Sequence, residues 1–335
     1  MDATINPVLA EIWRGPILES VHRGAAVVVS ADGIMAEAWG DPGRVILPRS
    51  ACKMLQALPL VESGAADAAG LTNRHLALAC SSHDGVPLHV DLATGWLSAI
   101  GKGEADLRCG AHPPDNPSAR HRLRLSGVRP DQRHNNCSGK HCGFLTLARH
   151  LGAGPDYLAP DHPVQQAARM AIEETAGEES QGFAIDGCSA PNFALSLKGL
   201  ATAMARFAAP EKSLTGARAD AAARLRDAMA AHPDLTGGES RAGTHLTRAA
   251  RGRAVVKSGA EGVYVAILPG KGLGIALKID DGNGRGSQAA IAALLARHGA
   301  IEHSDPVYKA YADAPILNCR RIAHGHIRAG EALRG

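Results

Sequence analysis

The sequence predicts an α/β protein of the α+β type, in which one antiparallel sheet is built from both ends of the chain and is flanked by helices. Apolar, β-rich runs separated by turn residues occur near the amino terminus and again at residues 254–279, and helical periodicity dominates between them. No internal repeat, low-complexity tract or linker interrupts the chain. We therefore expect a single domain over residues 1–335, with sheet segments at roughly 14–45 and 250–282 and a helical middle at 50–248.

The amino-terminal sheet segment contains a predicted pair of strands. Residues 25–30 (AAVVVS) are rich in β-branched side chains, and ADG at 31–33 is a typical turn. The chain returns as a second strand from Ile34, and DPG at 41–43 ends it.

The middle of the chain has the apolar spacing of amphipathic helices. Two helical faces are predicted, one from Leu88, Leu92, Trp96 and Ile100 and one from Val164, Ala168, Ala171 and Thr175. The run DHP at 161–163 can begin the second helix, and Gly177 can end it. We expect further helices at 193–207 and 217–230, and a surface loop at the proline-rich residues 112–117.

The carboxy-terminal third returns to strands. Three apolar runs at 254–257, 262–268 and 273–279 are separated by SGAE and PGKG. This spacing predicts an antiparallel meander, and a helix is expected to follow at 287–297.

Composition excludes several classes of protein. The 335 residues are 45% hydrophobic and 21% charged, which is typical of a globular protein. A net charge of +3 and only 3% aromatic residues argue against a nucleic-acid partner. No apolar run approaches the roughly 18 residues of a membrane span. The first fifteen residues lack the pattern of a secretory signal, and the seven cysteines lack the spacing of a disulfide framework. We therefore expect a reduced, cytoplasmic protein.

Ser50 and Lys53 form the pattern S-x-x-K. At the start of a helix, this spacing places the hydroxyl and the amine on one face, and a lysine with a lowered pKa can accept the serine proton. The pattern alone is weak, because an N-cap serine followed by a solvated lysine fits it as well.

Two other patterns bear on that choice. Lys257-Ser258-Gly259 ends a predicted strand, as K-[ST]-G does in serine β-lactamases and penicillin-binding proteins. The S-D-N pattern of those enzymes is absent, and the nearest candidate is CSSHDG at 80–85, which contains Ser82. An ordinary strand or helix end followed by a turn is the alternative interpretation of each.

Two further polar runs carry cysteines, HNNCSGKHC at 134–142 and DGCSAPN at 186–192. Their spacing matches no zinc ribbon, zinc finger or zinc deaminase. One thiolate from each run can still meet the other at a metal ion, or the two loops can line a pocket with amide and hydroxyl groups.

Seven runs in this order carry a resemblance to a known family. They are RG at 14–15, ESVHRG at 19–24, PRSACK at 48–53, CSSHDG at 80–85, NNCSGKH at 135–141, DGC at 186–188 and KSGAEG at 257–262. Together they resemble the rhizobial-type L-asparaginases, also called class 3 or the asparaginase II family. The resemblance implies a fold similar to that of serine β-lactamases and bacterial glutaminases, a homodimer, and hydrolysis of L-asparagine to L-aspartate and ammonia.

The resemblance also implies a set of site residues. The catalytic pairs are Ser50 with Lys53 and Ser82 with Lys257, and the substrate contacts are Arg49 and Asp186. The ligands of one zinc ion per subunit are Cys137, Lys140 and Cys188. By its charge, Asp186 suits the α-ammonium of asparagine, and Arg49 can hold the α-carboxylate with two hydrogen bonds. On this hypothesis Ser50 attacks the amide and a neutral Lys53 accepts its proton. Neighbouring cations disfavour one another's charge, so we expect Lys53, Lys140 and Lys257 to lower one another's pKa.

Two other functions fit part of the pattern. A β-lactamase or D,D-peptidase shares S-x-x-K and K-S-G, but the missing S-D-N pattern and the missing export signal disfavour it. A non-catalytic zinc or thiol sensor would use Cys137, Cys142 and Cys188 and would turn over no substrate.

Overall fold

The computed structural model of the chain describes residues 6–334. Part of the amino-terminal segment in which we expect no secretory signal therefore lies outside the described residues. Within them, no helix is long and apolar enough to cross a membrane. The chain divides into two compact units, a sheet unit of residues 6–51, 195–212 and 245–334 and a helical unit of residues 52–194 and 213–244. The prediction of a single domain over residues 1–335 stays a prediction.

The described residues contain both strands and helices. The strands are β1 (Val8–Arg14), β2 (Ile17–Ser30), β3 (Met35–Trp39), β4 (Val45–Ile46), β5 (Phe183–Ile185), β6 (Pro191–Phe193), β7 (Leu195–Ser196), β8 (Val255–Ser258), β9 (Val263–Leu268), β10 (Leu273–Ile279), β11 (Asp313–Leu317) and β12 (Ala323–Ala329). The helices are α1 (Lys53–Gln56), α2 (Leu58–Glu62), α3 (Ala65–Ala68), α4 (Asn73–Ala79), α5 (Pro87–Ala99), α6 (Pro117–Leu125), α7 (Ser138–His150), α8 (Pro163–Ala176), α9 (Leu197–Ala208), α10 (Pro210–Ser213), α11 (Gly216–Ala231), α12 (Pro233–Thr236), α13 (Ala242–Ala250), α14 (Gly284–Arg297) and α15 (Pro306–Ala312).

The sheet unit is organised around one large antiparallel sheet. Its strand order is β11-β12-β1-β2-β10-β9-β8, with β3 paired to β2. Strands from the start of the chain thus lie between strands from its last third, which confirms the predicted α+β class and the sheet built from both termini. The β2–β3 pair and the β8–β9–β10 meander are also confirmed.

Helices α9 and α14 pack against this sheet. Gly274 shows how closely α9 lies on β10, because a Cβ at this position would come within 2.1 Å of the Ala205 amide nitrogen. The core contains buried side chains of β2, β10 and α14, among them Val28, Leu277 and Leu294. The predicted helix at 287–297 is confirmed as α14, which begins three residues earlier.

Pattern analysis does not predict β1, β11 or β12. The sequence of β12, AHGHIRA, is polar and contains a glycine, so it carries no local strand signal. Pairing with β1 on one side and β11 on the other forms it. Tertiary contacts therefore decide this element.

The helical unit confirms most predicted helices. Helix α8 begins after His162, whose side chain accepts a hydrogen bond from the Val164 amide at 3.1 Å, and it ends at Gly177 with φ +74°. Its predicted buried face is confirmed, and α11 matches the helix expected at 217–230. The residues expected to form a proline-rich loop do so as far as Asn116, and Pro117 begins α6.

Two details of these predictions are wrong. In α5 the predicted face is buried at Trp96 and Ile100, but the start of the helix is rotated, since His89 and Ala93 are buried and Leu88 is 39% exposed. The helix expected from residue 193 begins only at Leu197, because the preceding residues form the short strands β6 and β7.

Candidate active site

Arg49 and Ser50 lie in a strained turn of the sheet unit. After β4 the chain enters a 3₁₀-helix at Arg49–Cys52, and both side chains are half-buried. Arg49 has φ +53°, a left-handed conformation that costs a non-glycine residue about 1 kcal/mol. Strain of this kind often occurs at functional sites, and the role expected for this segment stays a prediction.

Lys257 lies on the edge strand β8 of the same unit. Its side chain is 3% exposed, and its Nζ donates a hydrogen bond to the Ser258 carbonyl at 2.9 Å. At Gly259 a Cβ would come within 2.6 Å of the Pro48 carbonyl oxygen and 3.3 Å of Ala51 Cβ. The end of β8 therefore packs directly against the turn that carries Ser50.

Lys53 and Ser82 meet in the helical unit. Lys53 is the first residue of α1 and is 1% exposed. Its Nζ lies 2.5 Å from the Ser81 carbonyl, 3.1 Å from Ser82 Oγ and 3.5 Å from the Asn136 carbonyl. The structure thus brings the lysine of S-x-x-K to the serine of the other predicted pair. The pairs Ser50–Lys53 and Ser82–Lys257 each combine residues of the two units, and they stay predictions.

The predicted zinc ligands are all buried in the helical unit. Cys137 precedes the first residue of α7, and Lys140 lies in the first turn of that helix. Lys140 Nζ lies 3.0 Å from Cys188 Sγ, and the three side chains are each 3–4% exposed. The amine of one polar run therefore contacts the thiol of the other, and the complete ligand set stays a prediction.

The pKa values of the two thiols shift in opposite directions. Interaction with the Cys137 side chain holds the pKa of Cys188 well below its ordinary range, and interaction with Cys188 together with burial raises the pKa of Cys137. The Cys137 thiol itself donates to Asn136 Oδ1 at 3.1 Å. Burial alone would lower the pKa of Lys140, but the Cys188 and Cys137 sulfurs outweigh it and raise that pKa. The expected lowering of the Lys140 pKa is wrong, because its nearest charged partners are sulfurs rather than cations.

Cys188 and Asp186 lie in the turn between β5 and β6. The Asp186 amide donates to the Ala190 carbonyl at 2.9 Å, and Ser189 has φ +68°. The Asp186 carboxylate accepts from the Gly187 amide at 2.8 Å and lies 3.9 Å from Cys188 Sγ. This half-buried carboxylate is therefore placed beside the thiol and amine cluster.

The donor chemistry of this cluster fits zinc. Thiolate is a preferred zinc ligand, and ligands must give up their protons to bind the ion. Cys188 has a lowered pKa, whereas Lys140, which contacts it and has a raised pKa, would have to lose its proton when the ion binds. Within residues 6–334 no group of three or more His, Cys, Asp and Glu side chains is arranged for a metal ion. The ligand set implied by the resemblance consists instead of two thiols and the amine of Lys140, and it stays a prediction.

His141 is a further residue of this cluster that pattern analysis quotes only as part of a motif. Its Nδ1 lies 2.8 Å from the Tyr157 hydroxyl, which also accepts from the Arg108 amide at 2.8 Å. Its buried Nε2 makes no hydrogen bond of regular geometry to any described residue. The Cys188 sulfur favours the protonated ring, but the effect of burial is larger. Burial lowers the pKa of His141 to about 4, so the ring is neutral near pH 7.

Comparison with known families identifies one match. The sequence model of the family described as L-asparaginase II matches residues 10–329. This range contains every predicted site residue. None of the curated proteins compared with the sequence matches it.

Solved structures are similar to the chain only at low sequence identity. A crystal structure of Mglu is 17% identical, with a TM-score of 0.47, over 84% of this chain and 68% of that one. A crystal structure of a β-lactamase from Mycobacterium bovis is 16% identical, with a TM-score of 0.45, over 82% and 94%. For Mglu in its native form the values are 15% and 0.44, and this chain spans 66% of its length, just under two thirds.

Proposed function

The chain belongs to the L-asparaginase II family, a family of amidohydrolases, and we propose that it hydrolyses L-asparagine to L-aspartate and ammonia through its Ser-Lys pairs. The family match over residues 10–329 is the observation that carries the proposal. The contact between Lys53 and Ser82 supports the mechanism, because it joins a candidate base to a candidate proton relay.

In the proposed acylation, the Ser50 hydroxyl attacks the side-chain amide carbon and Lys53 accepts the hydroxyl proton. The C–N bond then breaks, and the leaving nitrogen takes up a proton to depart as ammonia. Lys53 Nζ lies 3.1 Å from Ser82 Oγ, so this proton can pass from Lys53 through the Ser82 hydroxyl.

Deacylation uses the same groups in reverse. A water molecule attacks the acyl carbon and gives up a proton, the bond to Ser50 Oγ breaks, and Ser50 recovers its hydrogen as aspartate leaves. Lys257, the partner proposed for Ser82, is buried. A cationic side chain in such a place stabilises the negative charge of the tetrahedral intermediate.

Recognition of the substrate uses its two α-substituents. Arg49 binds the α-carboxylate with its planar guanidinium, and Asp186 binds the α-ammonium. Cys137, Lys140 and Cys188 would hold zinc, which when bound supplies a fixed positive charge that orients the substrate.

We further propose that the protein is a cytoplasmic homodimer with no nucleic-acid or membrane partner. Light scattering of the purified protein measures its mass in solution and so tests the dimer.

The test is ammonia release from L-asparagine, with L-glutamine and a chromogenic β-lactam assayed alongside. We expect the wild type to release ammonia from asparagine and Ser50→Ala to lose that activity. A wild type that leaves asparagine intact would show the proposed function to be wrong, and cleavage of the β-lactam instead would favour a β-lactamase. Full activity in Ser50→Ala would overturn only the assignment of the nucleophile.

A further inference from the structure

The segment that carries Ser82 lacks regular secondary structure although it is largely buried. Residues 81–86 follow the turn at the end of α4 and precede α5, and Ser81, His83 and Asp84 are each at most 1% exposed. No helix or sheet ladder fixes this backbone. Its position is set by hydrogen bonds to other segments of the helical unit.

Three of these bonds join backbone groups on both sides. The Ser82 amide donates to the Thr236 carbonyl at 2.9 Å, and the His83 amide donates to the Asn136 carbonyl at 3.2 Å. The Asp84 carbonyl accepts from the Asn116 amide at 3.2 Å. Consecutive residues are thus tied to three different parts of the unit.

The Asp84 carboxylate makes the charged contact of this segment. It accepts from Arg241 Nε at 2.8 Å and from Ser240 Oγ at 2.8 Å. Gly238 has φ +115°, and a Cβ there would come within 2.2 Å of the carboxylate. Arg241 Nη2 also donates to Asp115 at 2.5 Å. We call Asp84, Asp115, Ser240 and Arg241 the Asp84 clamp.

We propose that Arg241 is a positioning residue for Ser82, which it places through the Asp84 clamp. A buried carboxylate requires a counter-charge, and a planar guanidinium can bind carboxylates from two segments in fixed directions, which a lysine ammonium cannot. Asp84 follows Ser82 by two residues, so a shift of Asp84 moves the Ser82 hydroxyl relative to Lys53. The inference rests on the proposed function, because it assigns Ser82 to the proton relay.

The experiment compares Arg241→Ala and Arg241→Lys with Arg224→Ala. Arg224 is a matched control, because it lies in the same unit, is 38% exposed against 35% for Arg241, and binds Asp67 through both terminal nitrogens at 3.0 and 2.6 Å. For L-asparagine we expect kcat to fall by about 100-fold in Arg241→Ala with KM within about threefold. Millimolar guanidinium should restore part of that kcat and leave the wild type unchanged. Arg224→Ala should keep the wild-type kcat.

The Lys variant keeps the test decisive if the Ala variant fails to fold. Arg241→Lys preserves the positive charge but not the simultaneous contact with Asp84 and Asp115. We therefore expect kcat to fall at least fivefold with little change in Tm. Wild-type kcat in a folded Arg241→Ala or in Arg241→Lys would overturn the inference, as would an equal loss in Arg224→Ala or a loss confined to KM. If the wild type releases no ammonia from asparagine, the proposed function is wrong, and the inference that rests on it is wrong as well.

Discussion

Lys53 Nζ lies 3.1 Å from Ser82 Oγ, with the Ser81 and Asn136 carbonyls as its other polar neighbours. As placed, Nζ donates to the Ser82 hydroxyl and to both carbonyl oxygens. The amine is therefore in direct contact with the hydroxyl that the proposed mechanism uses as its proton relay.

Replacing this amine should remove catalysis while leaving the fold intact. In Lys53→Met the apolar chain fills the same buried volume, so we expect kcat for asparagine to fall by about 10²–10⁴, the range typical of a lost acid–base group. Steady-state kinetics and a thermal melt measure the two effects. Lys102→Met is the control, because Lys102 forms only a surface pair with Asp106 at 3.3 Å. A kcat for Lys53→Met within tenfold of the wild type would contradict the role of Lys53.

The serine that is acylated can be identified directly. With excess asparagine and an acid quench, we expect mass spectrometry to find the aspartyl adduct on the peptide that contains Ser50. Ser82→Ala should slow both steps but leave the adduct on Ser50, because the relay is lost and the nucleophile remains. An adduct on Ser82 would reverse the two roles.

Zinc content tests the thiol and amine cluster independently of activity. We expect about one zinc per chain in the wild type and less than a tenth of that in Cys188→Ala, because loss of one ligand typically abolishes binding. Cys142→Ala is the matched control, since Cys142 is also buried and lies in α7. Retention of zinc in Cys188→Ala would exclude Cys188 as a ligand.

The role of zinc follows from the kinetics after it is removed. If zinc orients the substrate, chelation should raise KM more than it lowers kcat. A collapse of kcat at unchanged KM would instead indicate that zinc takes part in the chemistry.

Two buried histidines predict how stability depends on pH. Burial lowers the pKa of both His83 and His89 below the ordinary value of 6.5, and repulsion from His89 lowers the pKa of His83 further. The unfolded chain therefore binds more protons than the folded one just below pH 6.5, so this stability is complete above pH 6.5 and is lost as the pH falls. Each group contributes a slope of up to about 1.4 kcal/mol per pH unit.

Denaturant titrations between pH 5 and 7.5 measure this slope. His89→Gln should flatten it, because the glutamine amide can replace the hydrogen bond from His89 Nε2 to the Asp234 carbonyl without titrating. His121→Gln, at an exposed position of α6, should leave the slope unchanged. Equal slopes in the wild type and His89→Gln would contradict the prediction.

Local patterns reveal some of this structure and not the rest, for physical reasons. The β8–β9–β10 meander is predictable because its strands are continuous apolar runs bounded by turn residues, and α8 is predictable because its burial repeats with the helical period. Strand β12 is not, because its polar sequence becomes a strand only through its neighbours. In the same way, Ser82 belongs to a recognisable motif, whereas the Asp84–Arg241 contact joins residues 157 positions apart and leaves no local signal.

The packing of β8 against the Ser50 turn predicts a selective effect at one glycine. A Cβ at Gly259 would meet the Pro48 carbonyl at 2.6 Å, and this contact is with backbone, so strand and turn must separate. We expect Gly259→Ala to lower kcat at least tenfold, because displacements of about 1 Å in a catalytic group can cost up to 100-fold. Gly270→Ala is the control, since a Cβ there meets no atom within 4 Å, and its stability should change by less than about 0.5 kcal/mol. Wild-type kcat in Gly259→Ala would mean that this contact does not set the position of Ser50, and the turn would then have to be held by its own strained backbone at Arg49.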